Sequence, residues 1–267
     1  GGNRFIEVNK DDEGNLYLVI HSGSRNLGKQ VAEYYQNLAV ELLKGREEYF
    51  AKREQIIKEY KEKGKHKLIQ SALKELEKKY EASQPKYPKE LCLLTGIYRE
   101  KYLHDMRICQ EFAVLNRETI ANIILGHLFD KKLEDFNSFQ TIHNYINFND
   151  NIIRKGSISA YKGERVIIPM NMKDGSLLCV GKGNADWNYS APHGAGRIMS
   201  RAKAKKLISL DEYKKSMEGI YSTSIDELTI DEAPMAYKPV QEIIDNIQDT
   251  VEIVKIIKPI YNFKASE

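Results

Sequence analysis

The sequence predicts an α+β protein, and three observations predict it. Short apolar runs of strand length open the chain, long stretches with helical periodicity follow, and seven glycines punctuate short strand-like segments between residues 156 and 196. Residues 5–8 and 16–20 read as strands joined by the polar turn Asp11-Asp12-Glu13-Gly14-Asn15. Gly28 leads into a helix over 31–43. Residues 45–88 are rich in Lys and Glu, with Ile56, Tyr60, Leu68, Ile69, Leu73 and Leu76 as a sparse apolar stripe. They read as a charged, partly protruding helical arm broken near Gly64. A solvated surface accounts for its charge, because Glu nearly balances Lys; an RNA-facing role is the competing reading.

A second long helix is expected over 98–128, with Met106, Cys109, Ala113, Leu115, Ile120 and Ile124 on its buried face. Short strands are expected at 157–160, 166–169 and 176–180, and a helix starts after Met199. A last helix is expected over 240–257, where Ile243, Ile244, Ile247, Val251, Val254 and Ile257 recur at three- and four-residue steps until Pro259 stops it.

The 267 residues suffice for one large core or two modest domains. No run of 18 apolar residues exists, so no membrane span is expected. A net charge of +3 is only a weak bias toward anionic partners. Cys92, Cys109 and Cys179 have neither paired bookkeeping nor metal-type spacing, which implies a reducing compartment, the cytoplasm, with buried thiols. The chain opens on Gly1-Gly2 without a methionine and with strand pattern already running; it reads as the later part of a longer polypeptide.

The chemistry gathers around histidines. His193 lies in Ser-Ala-Pro-His-Gly-Ala-Gly-Arg at 190–197, where small neighbours leave room for a ligand and Arg197 offsets phosphate charge. Backbone N–H groups of the following helix start would add to such a site. His21 ends a strand run before Ser22-Gly23-Ser24-Arg25, and both hydroxyls and Arg25 can donate to phosphate oxygens. A strand-end histidine satisfied by backbone groups remains an equal reading. His143, followed by Asn144 and Tyr145, is weak alone. His66, His104 and His127 read as ordinary polar residues of helices. Arg154-Lys155-Gly156-Ser157 and Lys182-Gly183-Asn184 are further phosphate or ribose candidates. A near-terminal lysine such as Lys264 is ordinarily solvated. No Walker pattern, His-Glu-x-x-His or zinc spacing occurs, whereas histidines at 21, 143 and 193 fit a metal or nucleotide site assembled in space.

Taken in order, several motifs resemble the RtcB family of GTP- and manganese-dependent RNA-splicing ligases. They are Gly-Gly-Asn-Arg-Phe-Ile-Glu at 1–7, His-Ser-Gly-Ser-Arg at 21–25, His143-Asn144, Arg-Lys-Gly-Ser at 154–157, the His193 segment, Met-Ser-Arg at 199–201, Asp-Glu-Ala-Pro-Met-Ala-Tyr-Lys at 231–238 and Asn-Phe-Lys at 262–264. The resemblance implies antiparallel sheets forming a central cleft surrounded by helices, residues 1–267 as the C-terminal major part of the catalytic domain, and residues 45–88 as a charged helical insertion or arm within it. It implies that His193 forms a covalent GMP adduct and that His21 and His143 ligate manganese. Asn3, Glu7, Ser176, Tyr237 and Lys264, with Gly194, Ala195 and Gly196, are implied as nucleotide contacts. Arg25, Arg154 and Arg197 are assigned to phosphate or RNA-end binding. The implied reaction transfers GMP from GTP to His193, then to an RNA 3′-phosphate (after any 2′,3′-cyclic phosphate is opened), and a 5′-hydroxyl finally expels GMP. tRNA or other cleaved RNA ends would be the partners.

The sequence also departs from the family. Arg4 stands where the family carries a metal-binding histidine, and a guanidinium does not ordinarily ligate a metal. The family's earlier Asp-x-x-Cys ligands have no counterpart, and the missing portion is expected upstream or on a separate segment. Pro169-Met170-Asn171-Met172 replaces Pro-Gly-Ser-Met, and Ala265 replaces the usual glycine. Three readings follow: an active ligase, a non-joining RNA-end or nucleotide-binding protein with an incomplete metal site, and a repair ligase of narrower substrate range.

Overall fold

The computed structural model describes residues 4–44, 47–80 and 87–264. The chain divides into two compact units, Gly1–Gly23 with Val114–Glu267, and Ser24–Ala113. The first begins with β1 (Phe5–Lys10) and β2 (Leu16–His21), an antiparallel hairpin. Its turn is fixed by Asp11, whose Oδ1 accepts the N–H groups of Glu13 (3.0 Å) and Asn15 (2.8 Å), and by Gly14 at φ 89°. The other Asp11 oxygen accepts from Tyr17 Oη and Lys255 Nζ, both at 2.8 Å. Burial opposes the charge on Asp11, but Lys255, Asn15 and Tyr17 together hold its carboxyl well below the usual range.

The second unit holds α1 (Arg25–Leu43), α2 (Glu47–Glu62), α3 (Ile69–Lys78) and the first part of α4 (Gly96–Phe129). Tyr35, Leu38 and Ala39 are the buried side chains of α1, and Tyr35 Oη donates to Asp105 Oδ2 at 2.7 Å. Tyr49 packs edge-on against Tyr80, with ring centroids 5.5 Å apart. The break expected near Gly64 falls between α2 and α3. Along α4 the buried positions include Cys109, Ala121 and Leu125, which follow four-residue steps. Leu115 lies off that stripe and is 60% exposed, so its place on the expected buried face is corrected.

The rest of the first unit is β3 (His143–Asn147), β4 (Ile152–Ser159), β5 (Arg165–Pro169), β6 (Ser176–Gly181), β7 (Ser190–Pro192), α5 (Arg201–Leu207), α6 (Leu210–Ser216), β8 (Tyr221–Ser222), α7 (Val240–Asn246) and β9 (Val251–Lys264). One sheet runs β2-β1-β9-β6-β5, with β8 parallel to β9, and a second runs β3-β4-β7. All other pairings are antiparallel, which makes this a mixed α+β fold built on antiparallel sheets. A core of Ile158, Val166, Ile168, Leu177 and Cys179 packs with Ile243 of α7 and with Ile247 just after it. A second core joins Met172, Tyr213 and Met217 to Ile230 and Ala233.

The expected helix over 240–257 is wrong beyond Asn246. Ile243, Ile244 and Ile247 keep helical spacing, but β9 starts at Val251 and alternates between buried and exposed positions to Lys264. Its β-branched residues favour a strand. Pro259 does not end it, because the register against β1 shifts there, between Val8 and Asn9.

Candidate functional site

Three strand ends in the first unit bring three histidines together. His21 closes β2 opposite Phe5 and stacks on that ring at 5.1 Å. His21 Nε2 lies 3.0 Å from His143 Nε2 at the start of β3. The His143 ring in turn lies 4.8 Å from that of His193, centroid to centroid. His193 follows β7, and its Nδ1 lies 2.7 Å from the carbonyl oxygen of Gly156 in β4. A carbonyl only accepts, so Nδ1 is the donor and a neutral His193 ring keeps its lone pair on Nε2. Burial first, and then the neighbouring His21 and His193, push the His143 pKa down to about 4, so its ring is neutral at ordinary pH.

The loop carrying His21 is pinned by α4. Asn116 Nδ2 donates to Ser22 Oγ (2.8 Å) and Gly23 O (3.1 Å), and Arg117 Nη1 donates to Ser22 O (3.1 Å). Arg117 also grips Gln140 Oε1 through Nε (2.8 Å) and Nη2 (2.6 Å). A cavity of about 550 Å³ opens among Phe5, His21, Arg117, Phe139, His143 and His193. Asn116 and Arg117 were not singled out by sequence reasoning. The available signal was two adjacent polar residues on the α4 face that otherwise alternates Cys109, Ala113, Ala121 and Leu125.

A buried polar network adjoins the histidines through Phe5, whose ring lies 5.7 Å from Lys264 Nζ. Lys264 is 6% exposed, contrary to the ordinary expectation for a lysine near a chain end. Its Nζ donates to Glu232 Oε2 at 2.7 Å, and Tyr237 Oη donates to the same oxygen at 2.6 Å. Arg201 reaches Glu232 Oε1, and Arg197 lies 3.5 Å from that oxygen and 5.0 Å from the Tyr237 ring centroid. Burial works against the Glu232 charge, yet Lys264 above all, with Tyr237 and Arg201, holds its pKa down at about 2. Burial and then the Glu232 charge push the Tyr237 hydroxyl well above its ordinary value. Asp231 and Glu232 belonged to a quoted motif, but their part as the acidic counterweight was not foreseen.

Glu7 points to the same sheet face, by its register opposite Asn262 on β9. It accepts from Asn262 and from Asn9 Nδ2 (3.4 Å), and burial raises its pKa to about 7 despite Lys264. Asn9 Oδ1, Asn262 Oδ1 and Ser176 Oγ are buried without a hydrogen-bond partner among the described residues. Such atoms are costly unless a ligand or water satisfies them. Ser176 lies on β6 opposite Ile257.

The remaining candidates are spread differently. Gly194, Ala195 and Gly196 run on from His193, fastened by Ala195 N–H to Pro169 O (3.2 Å) and Lys238 N–H to Gly196 O (3.1 Å). Arg154 is 2% exposed, and its guanidinium donates to Ser190 Oγ (2.9 Å), Asn188 O (3.1 Å), Tyr189 O (3.3 Å) and two tyrosine hydroxyls. Those contacts take up its donors within the fold, so it holds the β4–β7 region together. Lys182 and Asn184 likewise bond to the carbonyls of Gln248 and Asp249. Arg25 opens α1 in the second unit at φ 54°. Asn3 lies outside the described residues, as does Ala265.

His21 and His143 could offer imidazole nitrogens to a metal. Among the described residues, however, no group of three or more His, Cys, Asp or Glu is arranged to hold one. Two nitrogen donors without carboxylates suit manganese poorly, since that ion favours oxygen ligands. The described donor set therefore does not fit a two-manganese centre.

Fold and site define a class: an α+β protein with a cluster of three imidazoles at a cavity, backed by a buried Lys–Glu–Tyr–Arg network. Residues 1–265 match the family described as tRNA-splicing ligase RtcB, and the chain belongs to that family. It is 28% identical over 278 residues to the RNA-splicing ligase RtcB of Escherichia coli strain K12, covering 99% of this chain and 60% of that protein. It is 26% identical over 305 residues to the tRNA-splicing ligase RtcB of Nanoarchaeum equitans, covering 96% and 56%. The chain thus spans at most about 60% of the length of these curated relatives. No helix among the described residues is long and apolar enough to cross a membrane.

Proposed function

We propose that this chain is a guanine-nucleotide and RNA-end binding member of the family whose joining chemistry is impaired by an incomplete metal site. The observation that carries this reading is the donor count at the imidazoles: three rings meet, yet no metal-holding group forms among the described residues. His193, Glu7, Ser176, Tyr237, Lys264 and the 194–196 backbone are the proposed contacts to GTP or GMP, with Asn3 beside them. Arg197 and Arg25 are proposed for RNA-end phosphates. The unpartnered buried oxygens of Asn9 and Asn262, both bonded through their amide nitrogens to Glu7, support a polar ligand with donors of its own. Residues 45–88 are proposed as an insertion into one catalytic domain, and the cytoplasm as the compartment.

The hydrogen bond between His193 and Gly156 favours a second reading, a GTP-dependent ligase joining 3′-phosphate and 5′-hydroxyl RNA ends in tRNA splicing or repair. With Nδ1 committed as a donor, Nε2 is free to attack the α-phosphate. A nitrogen–phosphorus bond forms, the bond from the α-phosphorus to its leaving oxygen breaks, and pyrophosphate departs. Manganese, named by the resemblance, would need donors beyond the described set.

The test incubates the chain with GTP and manganese and supplies RNA pieces with 3′-phosphate and 5′-hydroxyl ends. Binding of GMP and RNA ends without a joined product supports the first reading. A joined product, with a GMP adduct that disappears in His193→Ala, moves the protein to the second. Absence of both nucleotide and RNA-end binding refutes the two together.

A further inference from the structure

The second unit carries a feature that the nucleotide site does not use. Lys61, Lys63, Lys65, His66 and Lys67 are exposed within seven consecutive residues at the junction of α2 and α3. This junction is not a slack loop. Lys65 N–H bonds to Tyr60 O at 2.8 Å and Gly64 N–H to Lys61 O at 3.0 Å, with Gly64 at φ 68°. That is the bonding of a Schellman helix end, which needs a residue in the left-handed region at the glycine position. Leu68 N–H returns to Lys65 O at 3.0 Å and starts the next turn.

Several lysines elsewhere in this unit are matched by acids, Lys52 with Glu48 (2.6 Å), Lys101 with Glu54 (2.6 Å) and Lys44 with Glu41 (2.6 Å). At the junction only Lys63 has such a partner, Glu59, at 3.8 Å. Lys61, Lys65 and Lys67 make no ion pair with a described residue, and Glu62 is the one acid between 61 and 67. Helix ends thus display a concentrated positive charge on fixed backbone, with little internal neutralisation. Four charges spaced over two turns match a repeating polyanion better than a single small anion, which would need converging donors.

We infer that the α2–α3 junction is a docking point for the phosphate backbone of RNA. The inference rests on the reading of RNA as this protein's ligand. It adds a contact that holds the body of the RNA through charge, without reading sequence.

The experiment measures fluorescence anisotropy of the whole chain with a labelled single-stranded RNA carrying a 3′-phosphate, between 50 and 200 mM KCl. Each single-strand phosphate contact contributes a salt slope of roughly 0.7. The Lys61→Gln/Lys65→Gln/Lys67→Gln variant should therefore bind with a slope shallower by about 2 and an affinity lowered about tenfold at low salt. The matching triple Arg variant should keep the slope, and GMP binding should be the same in all three proteins. An unchanged slope in the Gln variant overturns the inference. So does a variant that keeps RNA affinity but loses binding to phosphatidylserine vesicles, which would assign the lysines to a membrane surface. GMP binding and adduct formation are read separately: their failure with the slope change intact removes the nucleotide reading and leaves the docking point standing.

Discussion

Replacing Glu7 by Gln should remove that residue's own contribution to the pH dependence of stability between pH 5 and pH 8. Glu7 is 3% exposed, and burial raises its pKa from 4.5 to about 7. A folded-state acid with a raised pKa binds its proton more tightly than the unfolded chain does. Its contribution is therefore fully present below pH 4.5 and is lost as pH rises through 7. At about 1.4 kcal/mol per unit the full span is about 3 kcal/mol, of which about 2 kcal/mol falls between pH 5 and pH 7. Gln carries no proton to lose, and its volume is nearly the same. Its amide would present a donor to Asn262, whose Oδ1 has no other partner and can take that bond after a side-chain flip. Urea unfolding of both proteins at pH 5, 6, 7 and 8 gives the difference curve, in which His143 and other shared groups cancel. The variant should gain about 2 kcal/mol on wild type from pH 5 to 7 and level off near pH 8. A flat difference across this range would mean that Lys264 keeps Glu7 ionised, and the burial argument would fail.

Lys264→Met strands Glu232 and Glu7 in a buried setting and should cost about 3 kcal/mol, the low end for breaking a buried pair because Arg201 remains; adding Glu232→Gln should restore part of it in a double-mutant cycle. Arg154→Met removes a buried charged donor from Ser190 Oγ and from the carbonyls of Asn188 and Tyr189, which keep Ser190 Oγ and the Ala160 N–H as their other donors, and should lower stability by about 2 kcal/mol in thermal unfolding, with RNA-end affinity per folded molecule unchanged. Gly175→Ala should cost more than about 2 kcal/mol, because a Cβ there meets Ile257 O at 2.0 Å and the backbone sits at φ 77°; soluble yield and melting temperature report it.

Local rules carried the sequence reading wherever an element is decided by its own residues. The β1–β2 turn follows from Asp11 and Gly14, the α2–α3 break from Gly64, and the open setting of His193 from its small neighbours. The reading failed where a pattern supports two periods. Val251, Val254 and Ile257 keep helical steps inside a β-branched run that equally suits a strand, and only pairing with β1 and β6 decides for the strand. Burial of Lys264 was equally invisible, because its counter-charge at Glu232 is 32 residues distant in sequence. Arg154 shows the same limit from the other side: a cation beside a glycine suggests a phosphate grip, and nothing local foretells the two tyrosine hydroxyls and two loop carbonyls that its guanidinium meets. Motifs reveal residue types, and which partner meets them is a property of topology.

β9 lies at the middle of its sheet, between β1 and β6. On the ribosome, β1 leaves the tunnel well ahead of its partner strand, which follows only after roughly 240 further residues. At about 5–20 residues per second that is a wait of about 10–50 s. During this interval the hairpin carries one unpaired edge that can join another nascent chain, so the yield of this protein should depend on translation speed and on chaperones that shield strand edges.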